Sequence, residues 1–346
     1  MKTVYVGMSG GVDSSVAALL LVEQGYKVVG VYMKNWSQDL PGMKCPWAED
    51  LADAKRVAVK LGIDFEVWDF EEAYREKVVE YMLAEFRRGN TPNPDIMCNQ
   101  EIKFKLFYEK AMGAGADLIA TGHYARVSNR QLLRAMDENK DQTYFLYRIS
   151  EEALQHTLFP IGEMMKPEVK KLAEAKGLHN AYKKESMGVC FVGEVGMKDF
   201  LKEYIEVKSG EIRDIESEKV LGYHEGAVFY TIGQRHGLYL NGNKGEVNDG
   251  MPYYVVAKDI KNNIVYVSKN LNHSEIWKKD LKLRDVISRS KIADDVQVRL
   301  RHRAPLIPAK FDGETLHFEQ AVKRPASGQS AVIYDGEICL GGGIIV

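Results

Sequence analysis

Cysteine is scarce in this 346-residue chain: there are four, at positions 45, 98, 190 and 339, and none forms a C-x-x-C pair. That excludes a disulfide scaffold and argues against a structural zinc site, leaving free thiols or redox chemistry. The eight histidines show no metal-ligand spacing. Net charge is only −2, so no global positive field advertises a nucleic-acid partner, and any such partner must be met by local patches. Apolar runs are far shorter than a membrane span, so no membrane partner is expected. Met1-Lys2-Thr3 leads straight into a strand-like run, so the sequence predicts no signal peptide and a cytoplasmic protein. Repeats and low-complexity tracts are absent. What remains, 45% hydrophobic and 28% charged, is an ordinary soluble composition with length for two or three domains.

The stretch that organises the chain is 2–25. A β-branched and aromatic run ends at Gly7, a turn follows through Ser9, Gly10 and Gly11, and an apolar helical run closes at Gly25. Strand, glycine turn and helix make a phosphate site, because glycines let the backbone approach and a helix start offers free N–H groups. The hydroxyls of Ser9, Ser14 and Ser15 add donors. Asp13 is the odd member: a carboxylate beside phosphates needs a cation between them, which predicts Mg²⁺ there. No Lys follows the turn, so this is neither G-x-x-x-x-G-K-[ST] nor G-x-G-x-x-G. Ser9-Gly10-Gly11-Val12-Asp13-Ser14 resembles the SGGxDS loop of the PP-loop ATP pyrophosphatases. A bare glycine turn before a buried helix is the plainer alternative.

Down the chain, strands at 27–32, 65–68 and 118–121 alternate with helices at 49–61 and 71–88. That pattern predicts βαβ units on a parallel sheet, with ligands beyond the carboxyl ends of the strands. Gly122, His123 and Met33 fall on the same rim as the glycine loop, and Met33 is placed to lie against an adenine. Residues 89–99 (GNTPNPDIMCN) carry two prolines and three asparagines, which predict irregular structure. If Cys98 begins the following helix, the dipole raises its thiolate fraction. A buried cysteine at a loop–helix junction fits equally. A hairpin is expected over 125–135 and a helix over 167–176. Glycines flank Cys190 two residues before and three after, a setting for a mobile thiol, although a free cysteine is commonly core.

From about residue 210 helical periods vanish. Short β-rich runs appear at 228–232, 253–258, 264–267, 296–300, 309–311, 315–318, 330–334 and 338–340, with Asp312-Gly313 and Asp335-Gly336 as hairpin turns. We therefore expect an α/β domain over 1–204, a small central β-rich domain over 205–274 and a C-terminal β-barrel over 275–346. Residues 296–310 hold Arg299, Arg301, Arg303, Lys310 and His302, and no acid. Arginines at 299, 301 and 303 share one strand face, which suits a phosphate backbone or, equally, a solvated edge strand.

Taken in order, GMSGGVDSSV, TPNPDIMCNQEIKFK, ATGHYAR, KDQTYFLY, GVCFVGE, TIGQRHGL and SGQSAVIYDGEICLGGGII resemble the successive signatures of the tRNA-specific 2-thiouridylases, the MnmA family. The resemblance covers nearly the whole chain. It implies an α/β PP-loop ATP-pyrophosphatase sheet with helices, then a small central domain and a β-barrel. It implies ATP and Mg²⁺ as cofactors, tRNA of the Lys, Glu and Gln type as partner, and a cysteine desulfurase or sulfur carrier as donor. By residue matching, Gly7, Met8, Ser9, Gly10, Gly11, Val12, Asp13 and Ser14, with Met33 and Gly122, hold ATP. Cys190 matches the persulfide carrier, Cys98 the thiol that ends in a Cys98–Cys190 disulfide, and Asp95 the acid/base residue. Asn93, Pro94 and Asp95 match the lining of the target base. His123, Lys140, Asp141, Gln142, Arg301, His302 and Gln329 match tRNA contacts, and Cys45 and Cys339 match no catalytic position.

Met187 stands where the family commonly has a small or hydroxyl residue, which is expected to alter loop packing only. Two rival readings remain. A PP-loop ligase for a small molecule leaves Cys98 and Cys190 unexplained. An RNA-binding protein with a relic nucleotide loop leaves the complete SGGVDS without a task.

Overall fold

The computed structural model describes residues 1–39, 45–184, 196–206, 208–240, 251–270 and 272–346. The first strands are Thr3–Gly7 (β1), Lys27–Lys34 (β2), Asp64–Asp69 (β3) and Leu118–Thr121 (β4). A hairpin of Arg126–Ser128 (β5) and Gln131–Leu133 (β6) follows, then Thr157–Leu158 (β7). The sheet order is β3-β2-β1-β4-β7, and every pairing is parallel. β1 and β2 are Val-rich and buried on both faces, which is what a parallel sheet sandwiched by helices requires. Val12–Glu23 (α1) follows β1, and Gly25 takes the left-handed φ of +82° that ends it. Trp47–Leu61 (α2) likewise stops on Gly62 at φ +65°. Two long helical runs, 71–87 (α3) and 94–113 (α4), each contain a wide π turn, at Arg75–Val79 and Cys98–Leu106. Among the described residues, no helix is long and apolar enough to cross a membrane.

The central sheet has the order β10-β11-β8-β9, from Gly210–Asp214 (β8), Val220–His224 (β9), Tyr254–Asp259 (β10) and Ile264–Ser268 (β11). Six strands then close a barrel: Trp277–Ser288 (β12), Asp295–Arg299 (β13), Ile307–Phe311 (β14), Thr315–Lys323 (β15), Ser330–Asp335 (β16) and Ile338–Ile345 (β17). Their order is β12-β15-β14-β13-β16-β17, and β17 pairs back onto β12. The barrel is tied to the first domain, because β6 pairs with the start of β17 through Leu132 opposite Cys339 and Leu133 opposite Ile338. One hydrophobic cluster accordingly runs from Tyr144 and Tyr147 into Val332, Tyr334 and Cys339.

Three local expectations fail, each for a physical reason. Residues 94–99 are helical. Asn93 caps the helix by accepting from the N–H groups of Asp95 and Ile96, and Pro94 occupies the first turn, where its missing N–H costs nothing. Residues 227–229 form a single 3₁₀ turn in place of a strand, with Ala227 and Tyr230 buried in the central core. The twelve-residue β12 escaped notice because its lysines, Asp280 and Arg284 mask an inward alternation of Leu281 and Leu283, which are 3% and 1% exposed.

Candidate nucleotide and nucleic-acid site

The glycine loop sits at the carboxyl end of β1, the sheet rim that the topology reserves for ligands. Gly7 pairs with Val31 on one side and Thr121 on the other, and the Met8 N–H donates to the Val31 carbonyl at 2.8 Å. The loop is tightened by hydroxyls. The Ser9 N–H donates to Ser14 Oγ at 3.2 Å, and the Ser15 hydroxyl donates to the Gly11 carbonyl at 2.9 Å. Asn180 Nδ2 donates to the Gly10 carbonyl at 2.8 Å and to Ser15 Oγ at 2.9 Å. Gly10 is obligatory: φ is +78°, and a Cβ would lie 2.3 Å from the Asp50 carbonyl oxygen. No side chain caps α1, whose N-cap is Gly11, so its first N–H groups keep their affinity for an anion. Met33 brings its Cε to 2.9 Å from where a Gly7 Cβ would stand. Gly122 is needed for packing, since a Cβ there would lie 2.5 Å from the Ser14 nitrogen.

Asp13 departs from expectation. Both of its carboxylate oxygens accept from Lys166 Nζ, at 2.6 and 2.8 Å, and the Tyr124 hydroxyl donates to Oδ1 at 3.0 Å. Its charge is thus already met by an ammonium, and the carboxylate does not fit the Mg²⁺ ligand expected there. Among the described residues no cluster of three metal-ligating side chains occurs.

Next to Gly122, His123 shares a hydrogen bond with Thr121 Oγ1 at 2.8 Å. Its ring packs on Phe104 of α4, with centroids 5.8 Å apart. Burial, aided by the charge of Lys103, pushes its pKa well below the usual histidine value, so the ring is neutral. Burial pushes Asp95 up, with Lys103 opposing. Phe104 thus sets α4 against His123, beside the rim where the glycine loop lies. Cys98 is buried one turn inside α4, not at its first residue, so the end-of-helix argument for a thiolate does not apply to it. Cys190 and its GVCFVGE motif lie outside the described residues. Cys45 and Cys339 are buried, and burial holds the Cys339 thiol up at about 11.

Several residues expected to touch RNA are hydrogen-bonded within the protein, some of them between domains. Asp141 is 1% exposed; its Oδ2 accepts from Arg299 Nη1 at 2.5 Å, and Oδ1 accepts from the Thr143 hydroxyl at 2.9 Å. Arg299 therefore points into the protein, and the row of three arginines on one strand face does not exist: β13 ends at Arg299, and Arg303 lies beyond it at φ +62°. Gln142 Oε1 accepts from the Tyr124 N–H at 2.9 Å. Gln329 Nε2 donates to the Thr91 carbonyl at 2.7 Å, and the Thr91 N–H donates to the Ser327 carbonyl at 2.7 Å. On the other side Asn90 Nδ2 donates to buried Glu85 at 2.8 Å, and Glu85 also holds Arg284 of β12 at 2.6 Å. The segment before Asn93 is thus latched to the barrel at two points. Arg301 is exposed, while Lys140 and His302 are half-buried, with the His302 ring 4.5 Å from that of Phe145.

A cavity of about 390 Å³ opens where the three domains meet, lined by Thr91, Thr231, Gln234, Arg301, Lys323 and Arg324 among others. It absorbs the TIGQ part of the central-domain signature, since the Thr231 and Thr91 hydroxyls are 3.4 Å apart. Linear reading missed Lys166, Asn180, Glu85 and Arg284, whereas Tyr124 was expected on the rim beside the glycine loop and its hydroxyl does reach Asp13. One signal was available for Lys166: a lysine beside Pro167 at a helix start stands against the helix dipole.

Comparison with known proteins adds three family models in register with this architecture. Residues 2–194 match a tRNA methyl transferase HUP domain, 198–269 a tRNA methyl transferase PRC-barrel domain and 280–345 an aminomethyltransferase beta-barrel domain. The tRNA-specific 2-thiouridylase MnmA of Idiomarina loihiensis is 46% identical over 358 residues, covering 99% of this chain and 96% of that protein. The protein of the same name from Streptococcus sanguinis is 44% identical over 355 residues, covering 99% and 94%. Near-complete coverage in both directions, at an identity far above what fold likeness alone produces, means that this chain belongs to the tRNA-specific 2-thiouridylase family.

Proposed function

We propose that the protein replaces the 2-oxygen of the wobble uridine in tRNA by sulfur, at the expense of ATP. The observation that carries this reading is the convergence at one sheet rim of an uncapped SGGVDS helix start and the helix bearing Asp95 and Cys98. The two are bridged by Gly122 against Ser14 and His123 against Phe104. The relatives' shared name supports the same substrate.

In this reading residues 7–14, Met33 and Gly122 hold ATP, and the uracil 2-oxygen attacks the α-phosphorus as pyrophosphate leaves. Adenylation is needed because that oxygen is otherwise a poor leaving group. Cys190 carries sulfur as a persulfide received from a cysteine desulfurase or carrier. The terminal sulfur takes the place of AMP at the 2-carbon, Cys98 attacks the inner Cys190 sulfur, and a Cys98–Cys190 disulfide remains. Asp95, with its raised pKa, serves as acid/base beside the base. A latched loop at Asn93 and Pro94 suits the fixing of a flipped base. Lys140, Arg301 and His302 are offered as RNA contacts, whereas Asp141, Gln142 and Gln329 act by holding the surface that presents them. Mg²⁺ enters with the nucleotide, and no step is assigned to it. Domain divisions at 204 and 274 suit this division of labour.

The test is thiolation in vitro. The protein is incubated with unmodified tRNA for Lys, Glu and Gln, ATP-Mg²⁺, cysteine desulfurase and cysteine, and 2-thiouridine is sought by nucleoside mass spectrometry. Product is expected with the wild type and absent with Cys98→Ser or Cys190→Ser. Absence of product from the wild type, with sulfide also failing as donor, would sink the reading in favour of a small-molecule ligase.

A further inference from the structure

Cys98 lies between two side-chain ties that end on one corner of the barrel, Arg284–Asp285 in β12. The first half of β12 pairs with β15 and the second half with β17, and the register slips between Arg284 and Ile287. Asp285 takes a left-handed φ of +50° there. A bulge of this kind bends its strand and re-aims the residues on it. Here it presents the Arg284 guanidinium to α3 and the Asp285 carbonyl to Arg148. On the side before Cys98, Arg284 Nη2 donates to Glu85 Oε2 at 2.6 Å, and Asn90 Nδ2 donates to the same oxygen at 2.8 Å. Arg88 Nη1 donates to Glu85 Oε1 at 2.9 Å. The Glu85 side chain is 2% exposed, so its carboxylate depends on these three donors in place of water. On the side after Cys98, Arg148 Nη1 donates to the Asp285 carbonyl at 3.0 Å, and Arg148 Nε donates to Gln100 Oε1 at 2.5 Å. Gln100 stands in the wide π turn that Cys98 opens, and such turns gather at functional sites. Glu85, Arg148 and Arg284 belong to none of the family signatures quoted above.

We propose that the Arg284–Asp285 corner is a positioning element for the Cys98 thiol, acting through Glu85 and Asn90 on one side and through Arg148 and Gln100 on the other. This rests on the thiolation reading given above, in which Cys98 attacks the inner sulfur of a persulfide. That attack needs an aligned approach, and a misplacement of about 1 Å is enough to cost roughly a hundredfold in rate. The Asn93 cap settles where α4 starts. Two ties to consecutive residues of a closed barrel also settle the helix's rotation, and with it the direction of the Cys98 side chain. The barrel thereby takes part in the sulfur step without touching the sulfur.

The experiment labels full-length protein with iodoacetamide and follows each cysteine-bearing peptide by mass spectrometry, beside single-turnover formation of 2-thiouridine. Cys98 is 5% exposed, and Cys45 and Cys339 are buried too, so those two report any general loosening. Arg148→Ala strands no buried carboxylate. It should speed labelling of Cys98 by at least about tenfold, the loss of one hydrogen bond to a charged group, and leave Cys45 and Cys339 within about twofold. Thiolation should slow by at least about tenfold with KM for ATP unmoved. Gln100→Ala should do the same, and Arg148→Ala/Gln100→Ala no more than either, because all three break one tie. Glu85→Gln/Arg284→Met, which leaves no buried carboxylate behind, should give the same pattern through the other tie. Equal gains in labelling at all three cysteines would reduce the corner to a structural joint and overturn the proposal, as would unchanged labelling of Cys98 or unchanged thiolation in these variants. Wild-type protein that forms no 2-thiouridine, with sulfide also failing as donor, would overturn the thiolation reading instead.

Discussion

The nucleotide loop and the joint between the first domain and the barrel are built in opposite ways. The turn of the loop is closed by hydrogen bonds within five residues, as Ser9 to Ser14 and Ser15 to Gly11 are. The joint closes over most of the chain: Asp141 to Arg299 spans 158 positions, and Thr91 to Gln329 spans 238. A backbone site carries its chemistry in its own short sequence. A joint made of side chains does not, because each charged group looks solvent-facing until its distant partner is known. That is why the arginines near 300 read as a surface for RNA, while the first of them is 4% exposed and neutralises a buried aspartate.

The contrast can be broken experimentally. The largest effect is expected from Arg299→Met, which leaves the buried Asp141 charge with only the more distant Arg134, 3.7 Å away, and should cost about 3 kcal/mol, seen as a lowered midpoint in denaturant. Adding Asp141→Asn should restore part of it, and a single variant as stable as wild type would remove the ion pair from the joint. Gly10→Ala acts on the other region. It forces an αL backbone and a clash with Asp50 and should cost about 1–3 kcal/mol of local order, read as loss of nucleotide binding with the barrel's unfolding unchanged. Gln329→Ala removes one hydrogen bond to the Thr91 carbonyl, worth about 1 kcal/mol, and should lower kcat for thiolation with KM for ATP unmoved. A rise in KM for ATP with kcat intact would place Gln329 elsewhere in the mechanism. The smallest effect is pH-dependent. Burial, then the charge of Arg303, holds His302 down at about 4, against an ordinary value of 6.5. The unfolded chain takes up a proton first, so stability is full above pH 6.5 and falls as pH drops from there to about 4. His302→Gln should flatten that slope, and an unchanged slope would assign it to another group.

Much of the fold was legible because parallel strands are continuous apolar runs and their helices end on glycines, as at Gly25 and Gly62. The barrel's weak point for reading was β12, where a strand buried on one face carries its charges on the other. At the site, SGGVDS and the Cys98 loop were found by local chemistry. The helical start at Pro94 was missed because a proline that breaks helices from within also begins them. Lys166 was missed because its meaning depends on Asp13, which lies 153 residues away.

The pairing of β6 with β17 and the latch of Gln329 on Thr91 also set an order in time. The first domain's sheet and glycine loop leave the ribosome early, but the strand that completes the barrel is the last to emerge. A nascent chain should therefore acquire its nucleotide site well before the loop ahead of Cys98 is fastened. Ribosome-held chains ending before residue 277 should show that loop open to protease while α1 is protected, and equal protection of both would refute the sequence of events. Unfinished molecules would then lack the means to commit a base to chemistry, a safeguard that comes from where in the chain the fastening residues are encoded.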